Sequence, residues 1–275
     1  MKKKRKIKWK NVILFIIFII SLSCLILSTY NIIKWRIDNK KTNDQLENIN
    51  DNVNIENIKD NDNTEIINNN ESEDKSNPYW DYIKMNLINV NFNELKKTNK
   101  NVVGWIKVNG TNINYPFVQT DNNKYYLTHS FNNSYNSAGW VFLDYRNNIK
   151  NMDKNTIIYA HGRLDGIMFG SLKNILKSNW VNDKDNYIVK LSTETENTLW
   201  QVFSVYRIPT TNDYLRIEFN DNNDFLKFAT TLLNRSSFNF NTKINENDKI
   251  LTLSTCYNDN DKVVLHAKLI KKEVK

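Results

Sequence analysis

Apolar and polar residues alternate in many short segments along the C-terminal part of the chain, a pattern typical of β-strands. Eight segments are predicted as strands: 102–108, 113–118, 139–143, 156–161, 187–192, 199–208, 249–256 and 262–271. Four others are predicted as helices: 79–87, 92–100, 170–177 and 223–234. Eight strands within about 180 residues predict a mainly β domain, either a closed barrel or a sandwich.

The N-terminal part of the chain has a different pattern. Residues 12–33 are mostly apolar, and a run of about 20 such residues is long enough to span a bilayer core. Basic residues precede this run, so we expect the N-terminus in the cytoplasm and the remainder outside. A cleaved signal peptide is the alternative. An uncleaved anchor is favoured, because the run is long and no small-x-small cleavage site follows it.

These patterns divide the chain into four parts. We expect a basic cytoplasmic tail at 1–11, a transmembrane anchor at 12–33, a polar and acidic stalk at 34–77 and a folded catalytic domain at 78–275. The stalk is rich in Asn, Asp and Glu and has no sustained apolar period, so it is predicted to be flexible or loosely helical. A short coiled coil through its isolated isoleucines is the alternative.

The net charge of +8 does not indicate a nucleic-acid partner. Seven positive charges fall within the first ten residues, which leaves the rest of the chain nearly neutral. No basic face with interleaved aromatic residues follows. We therefore expect no binding to nucleic acid.

A candidate nucleophile lies at the end of the strand predicted at 249–256. The alternation places Leu251 and Leu253 on one face, which fits a core, and Cys256 on the opposite face, which we expect to be accessible. The only other cysteine, Cys24, lies in the apolar run, so Cys256 has no evident disulfide partner. A buried, inert cysteine is the commoner alternative until a partner base is found.

Strand register predicts two neighbours for Cys256. His161 also ends a predicted strand, and if the two strands are parallel neighbours, the imidazole and the thiol meet at one rim. The five-residue loop after Cys256 pairs this residue with Lys262 and keeps the apolar residues of both strands on one face. The other two histidines have ordinary interpretations, His129 in a surface loop and His266 in mid-strand.

Five segments, in this order along the chain, resemble motifs of the class B sortases. They are NVVGWI at 101–106, NTIIYAHG at 155–162, DGIMFGSL at 165–172, TNDY at 211–214 and TLSTC at 252–256. The resemblance extends from about residue 78 to the end, and the N-terminal anchor matches as well. It implies a closed eight-stranded barrel with additional N-terminal helices and a helix before the cysteine strand.

The resemblance also implies an activity. Class B sortases are membrane-anchored cysteine transpeptidases of Gram-positive bacteria that cut a C-terminal sorting signal, of Asn-Pro-x-Thr or a related Pro-x-Thr type, after its threonine. They hold the secreted protein as a thioester and transfer it to a peptidoglycan amine on the extracellular face. Cys256 would be the nucleophile and His161 the acid that protonates the leaving amine. Scattered histidines give no metal-ligand spacing, so we expect no metal or cofactor.

Lys262 departs from the family, in which an arginine occupies this position. An arginine fork can hold both an oxyanion and substrate carbonyls, whereas lysine supplies a point charge. Lys262 either supplies the charge with poorer geometry, or marks a weakened or specialised sortase, or is replaced in function by Arg207 or Arg216. Ser254 and Tyr214 are weaker substrate-binding candidates, with a strand-surface serine and a packing tyrosine as the alternatives.

Two other functions are compatible with these residues. A membrane-tethered surface binding module could keep the barrel without turnover, given Lys262 in place of the arginine. A cysteine hydrolase could release proteins rather than anchor them, in which case an added amine would leave its product unchanged.

Overall fold

The computed structural model describes residues 8–67 and 78–275. The chain falls into two compact units, Met1–Asp44 and Gln45–Lys275. Residues 1–7 of the predicted basic tail and 68–77 of the predicted stalk lie outside the described residues. The predicted domain limits remain predictions.

Helix α1 (Trp9–Asn52) begins in the first unit and ends in the second. Its 44 residues correspond to about 66 Å, roughly twice the thickness of a bilayer core. Among residues 8–67 and 78–275 it is the one helix that is long and apolar enough to cross a membrane. Its large apolar side chains from Trp9 to Ile37 are exposed, as expected for a surface that contacts lipid.

The second unit is built on short strands and helices. The strands are β1 (Ile55–Ile58), β2 (Thr64–Ile66), β3 (Leu87–Val90), β4 (Val102–Val108), β5 (Asn114–Val118), β6 (Phe142–Leu143), β7 (Asn155–Tyr159), β8 (Ile188–Ser192), β9 (Glu196–Pro209), β10 (Ile250–Cys256) and β11 (Asp261–Val274). The helices are α2 (Tyr79–Tyr82), α3 (Asn93–Thr98), α4 (Ser178–Val181) and α5 (Asn222–Asn234), with 3-10 helices at Tyr125–Leu127, Gly170–Leu176 and Lys184–Tyr187.

Eight of these strands close into a mixed barrel. Around the barrel, β10 is followed by β7, β6, β5, β4, β8, β9 and β11, and β11 pairs back with β10. The β10–β7 and β5–β6 pairs are parallel, and the others are antiparallel. The predicted closed eight-stranded barrel is therefore confirmed.

The helix predicted at 79–87 is wrong in its second half. The structure has a single turn, α2, and Leu87 opens strand β3. Leu87 and Ile88 are both buried, and β3 pairs with β1. The apolar spacing at Trp80, Ile83 and Leu87 thus comes from two successive elements rather than from one helix face.

Residues 45–67 belong to the barrel unit, although their composition predicted that they are part of the stalk. Strand β1 pairs with β3, and β2 pairs with the edge of β11. The fully buried Lys271 ammonium donates to Asp60 Oδ1 and to the carbonyl oxygens of Ile83 and Met85, each at 2.7 Å. Main-chain pairing and this buried ammonium need no apolar periodicity, which is why the composition did not indicate them.

Two hydrophobic cores pack on the two faces of β10. Leu251 and Leu253 belong to the large core of the unit, whereas Ile250 belongs to a smaller core formed with α5. The side chains of Thr252 and Ser254 are buried on this second side as well. The expectation of an accessible face along the whole strand is therefore wrong. Of this face, only the end at Cys256 is half-exposed.

Candidate active site

The ends of three adjacent strands converge at Cys256. Strand β10 runs parallel to β7 from the Ile250–Asn155 pair to the Ser254–Tyr159 pair. Cys256 and His161 each lie two residues after the Ser254–Tyr159 pair, so both are at the same end of the sheet. The last pair of the β10–β11 hairpin joins Cys256 to Lys262. Both the parallel pairing and the hairpin register predicted from the sequence are confirmed.

The backbone around Gly162 packs against the end of β10. A Cβ atom at Gly162 would lie 1.9 Å from the carbonyl oxygen of Cys256, a distance that real atoms do not tolerate. Thr255 Oγ1 donates to the carbonyl oxygen of Ala160 at 2.7 Å. These two contacts fix the loop that carries His161 against the strand that carries the thiol.

The thiol and the imidazole each have a defined partner. Lys262 Nζ donates to Cys256 Sγ at 2.9 Å, and the thiol is free of any disulfide. His161 Nε2 lies 2.8 Å from the carbonyl oxygen of Leu127. Because a carbonyl oxygen can only accept, this contact assigns a proton to Nε2 and leaves Nδ1 to exchange the second proton.

All five candidate residues line one cavity of about 410 Å³, a volume typical of ligand sites. These residues are His161, Cys256, Lys262, Ser254 and Tyr214. The lining also contains Asn123, Leu127 and the segment 210–215 without its exposed Asp213. Phe142, Tyr159, Ala160 and Thr255 complete it.

Tyr214 and Ser254 form a buried pair in this lining. Their hydroxyl oxygens are 3.0 Å apart, and Tyr214 is only 1% exposed. Burial raises the pKa of the Tyr214 phenol, so it stays protonated. Its ring belongs to the core beneath α5. Tyr214 therefore packs against the sheet, and contact of either residue with substrate remains a prediction.

A model of the sortase domain matches residues 106–270, more than half of the chain. The chain belongs to the sortase family. This sortase is 36% identical to Sortase B of Staphylococcus aureus over 184 residues, which are 66% of this chain and 75% of the relative. It is also 36% identical to Sortase B of Listeria monocytogenes over 187 residues, 65% of this chain and 74% of the relative.

A solved structure shows the same fold. The Staphylococcus aureus sortase B–substrate complex superposes with a TM-score of 0.61 at 35% identity, covering 66% of this chain and 84% of that chain. The predicted resemblance to class B sortases is thus confirmed, and with it membership of a transpeptidase family.

Neither alternative arginine lies at the thiol of this sortase. Arg207 pairs with Asp261, and its guanidinium carbon lies 4.1 Å from the ring centroid of Tyr257. Arg216 pairs with Asp224, at 2.6 Å, near the start of α5. Neither arginine lines the cavity, whereas Lys262 does.

The sequence interpretation missed a buried polar chain behind this site. His266 is fully buried, with Nε2 at 2.8 Å from the Tyr206 hydroxyl and Nδ1 at 2.9 Å from the Thr252 hydroxyl. Thr252 in turn donates to Asn155 Oδ1 at 2.7 Å. Burial, with a smaller contribution from Arg235, lowers the pKa of His266 to about 3. This histidine is therefore neutral and structural, and it lies within β11, as predicted.

The lining residues outside the predicted set include Asn123, Leu127 and Tyr159. Asn123 lies in a loop and Leu127 in a short 3-10 turn, where no periodic pattern marks a functional residue. Tyr159 lies within the NTIIYAHG motif, two residues before His161, and this proximity was the one available signal.

Proposed function

We propose that the protein is a sortase B-like cysteine transpeptidase that attaches secreted proteins to the cell wall through a thioester on Cys256. The observation that carries this proposal is the pairing of β10 with both β7 and β11, which aligns one end of each of the three strands. It brings Cys256, His161 and Lys262 to one cavity, with the lysine ammonium 2.9 Å from the sulfur.

The reaction has two acyl-transfer steps. The Cys256 thiolate attacks the threonine carbonyl of a Pro-x-Thr-type sorting signal, and the resulting oxyanion collapses with loss of the C-terminal fragment as an amine. His161 gives that amine its proton. A peptidoglycan amine then attacks the thioester carbonyl and passes a proton back to His161. An amide forms, and the thiolate is released.

Lys262 is positioned to stabilise the oxyanion in both steps. Its ammonium already contacts the sulfur, so it lies within reach of the oxygen on the carbonyl carbon that becomes bonded to that sulfur. An ammonium offers three donors on a flexible stem and lacks the planar fork of arginine. Removal of one preorganised oxyanion donor typically lowers kcat by about 100- to 1,000-fold.

The N-terminal helix suits this role. Helix α1 would anchor the protein in the membrane, with the basic residues before it in the cytoplasm. The barrel unit would then act on the extracellular face, where both partners are found. These partners are secreted proteins with a sorting signal and the peptide amine of peptidoglycan.

Product analysis with the detergent-solubilised full chain tests this proposal. A peptide containing an Asn-Pro-x-Thr signal is incubated with and without triglycine, and the products are identified by mass. We expect the N-terminal fragment joined to triglycine, and no product from Cys256→Ala. Hydrolysis that triglycine does not alter would indicate a releasing hydrolase, and no cleavage at all would indicate a binding module.

A further inference from the structure

A buried carboxylate lies directly behind the cavity. Asp144 follows strand β6, and its side chain is fully buried, although it does not itself line the cavity. Fully buried carboxylates are rare unless hydrogen bonds or a cation compensate for the lost hydration. The partners of Asp144 therefore show what this residue organises.

Three side chains donate to the Asp144 carboxylate. Arg146 binds it through both oxygens, with Nε 2.9 Å from Oδ1 and one terminal nitrogen 2.8 Å from Oδ2. The Tyr159 hydroxyl donates to Oδ2 at 2.9 Å, and Asn123 Nδ2 donates to the same oxygen at 3.0 Å. Asn123 and Tyr159 both line the cavity.

The same cluster reaches a third lining residue, Leu215. The terminal nitrogen of Arg146 that binds Asp144 Oδ2 also donates to the carbonyl oxygen of Leu215, at 3.1 Å. Leu215 belongs to the segment 210–215 of the cavity lining. The Asp144 carboxylate thus binds Asn123 and Tyr159 directly and Leu215 through Arg146.

The charge on Asp144 persists at neutral pH. Burial would raise the pKa of this carboxyl, but the hydrogen bonds from Arg146 and Tyr159 outweigh burial and hold the pKa below its ordinary value. Burial, together with the Asp144 charge, raises the pKa of the Tyr159 phenol. Both donors therefore keep their protons, and the Tyr159 hydroxyl is engaged with Asp144.

The contacts also fix the amide of Asn123. Because a carboxylate only accepts, Asn123 must turn Nδ2 toward Asp144, and its Oδ1 accepts from the backbone N–H of Tyr145 at 2.9 Å. The amide therefore presents one defined orientation to the cavity. The contact between Lys262 and Cys256 involves none of these groups.

From this geometry we infer that Asp144 is a positioning residue that holds Asn123, Tyr159 and Leu215 in the arrangement that receives the sorting signal. This inference rests on the proposed function. Asp144 acts on substrate through Asn123, Tyr159 and Arg146, and it does not touch the reacting atoms. Its loss therefore raises KM for the signal peptide and leaves the reactivity of the thiol in place.

The test compares Asp144→Asn with the unmodified full chain in detergent. The substitution keeps the shape of the side chain but removes its negative charge. The new amide group also faces the donors Asn123, Arg146 and Tyr159, so at least one hydrogen bond is lost. We expect KM for an Asn-Pro-x-Thr peptide to rise about tenfold or more, with kcat reduced less than about threefold. The rate at which a small thiol reagent modifies Cys256 should stay within about twofold of the unmodified chain.

Asp153→Asn is the matched control. The Asp153 carboxylate accepts from Asn147 Nδ2 at 2.8 Å and from the backbone N–H of Asn148 at 2.7 Å, and neither partner lines the cavity. This variant removes a carboxylate from the same loop region, so KM should not change. Arg146→Lys keeps the positive charge but loses the fork that reaches Leu215, so it should also raise KM. This variant provides the test if Asp144→Asn does not fold.

Two results would overturn the inference. One is an unchanged KM in folded Asp144→Asn or in Arg146→Lys. The other is a joint loss of kcat, thiol reactivity and melting temperature in Asp144→Asn, whatever its KM, which would assign Asp144 a merely structural role. Failure of the proposed function looks different, because the unmodified chain would then show either no turnover or hydrolysis that triglycine does not alter. In that case, peptide affinity measured in the Cys256→Ala background still decides whether Asp144 shapes the cavity.

Discussion

The buried His266 should make the stability of the barrel unit depend on pH. Its two ring nitrogens lie between the Tyr206 and Thr252 hydroxyls, and no part of the residue is exposed. Burial lowers its pKa to about 3, whereas a histidine in an unfolded chain titrates near 6.5. The folded protein therefore excludes a proton that the unfolded chain binds. Replacement by glutamine removes the titrating group and keeps a polar side chain.

The sign and the size of the effect follow from these two values. Between about pH 6.5 and pH 3 the unfolded chain binds one more proton than the folded chain, so stability falls as the pH falls. The slope approaches about 1.4 kcal/mol per pH unit in this window. Lowering the pH from about 7.5 to about 4.5 should thus remove about 2.5 kcal/mol through His266 alone. Carboxyls with lowered pKa values, such as Asp144, lose their contribution only below about pH 4.

Urea unfolding at several pH values measures this slope. Tryptophan fluorescence reports the transition, and the free energy of unfolding is compared between the unmodified chain and His266→Gln. The variant is expected to be less stable at neutral pH but to lose about 2.5 kcal/mol less on acidification. Tyr206→Phe removes one hydrogen bond and keeps the histidine, so it should retain the steep slope. Equal slopes in the unmodified chain and His266→Gln would refute the reasoning.

Substitutions at two positions test the geometry of the site itself. Gly162→Ala places a Cβ 1.9 Å from the Cys256 carbonyl oxygen, so we expect the His161 loop to shift and kcat/KM to fall about 100-fold. A variant with normal kinetics would show that this contact is not needed for alignment. Lys262→Met should lower the rate of thioester formation by about 100-fold, and Lys262→Arg should raise it or leave it unchanged. Unchanged rates in both variants would mean that Lys262 is not the oxyanion ligand.

The centre of the site could be predicted because its geometry follows from strand periodicity. The five-residue loop and the apolar positions of the two strands allowed only one hairpin register, and this register placed Lys262 beside Cys256. The parallel pairing that brings His161 to the same edge was a hypothesis from similar strand ends, and the structure confirms it.

The covered face of β10 could not be predicted, because alternation alone does not distinguish a solvent-facing side from one packed under a helix. The segment 223–234 has one apolar side, but its partner surface is set by tertiary packing. Asp144 and Asn123 carry no periodic signal, since loop residues take their role from contacts with distant segments. The polar composition of strand β2 gave no sign of a strand. It pairs with β11 through main-chain hydrogen bonds, which do not require apolar side chains.

Detection of the acyl-enzyme shows directly whether Cys256 is the nucleophile. The full chain is mixed with a peptide that carries a Pro-x-Thr signal, quenched in acid and analysed by intact mass and peptide mapping. We predict a mass gain equal to the acyl fragment that ends in threonine, located on Cys256 and released by hydroxylamine. We also predict no gain in Cys256→Ala and slower formation in His161→Ala. Absence of the adduct, or its location on another residue, would rule out a thioester on Cys256.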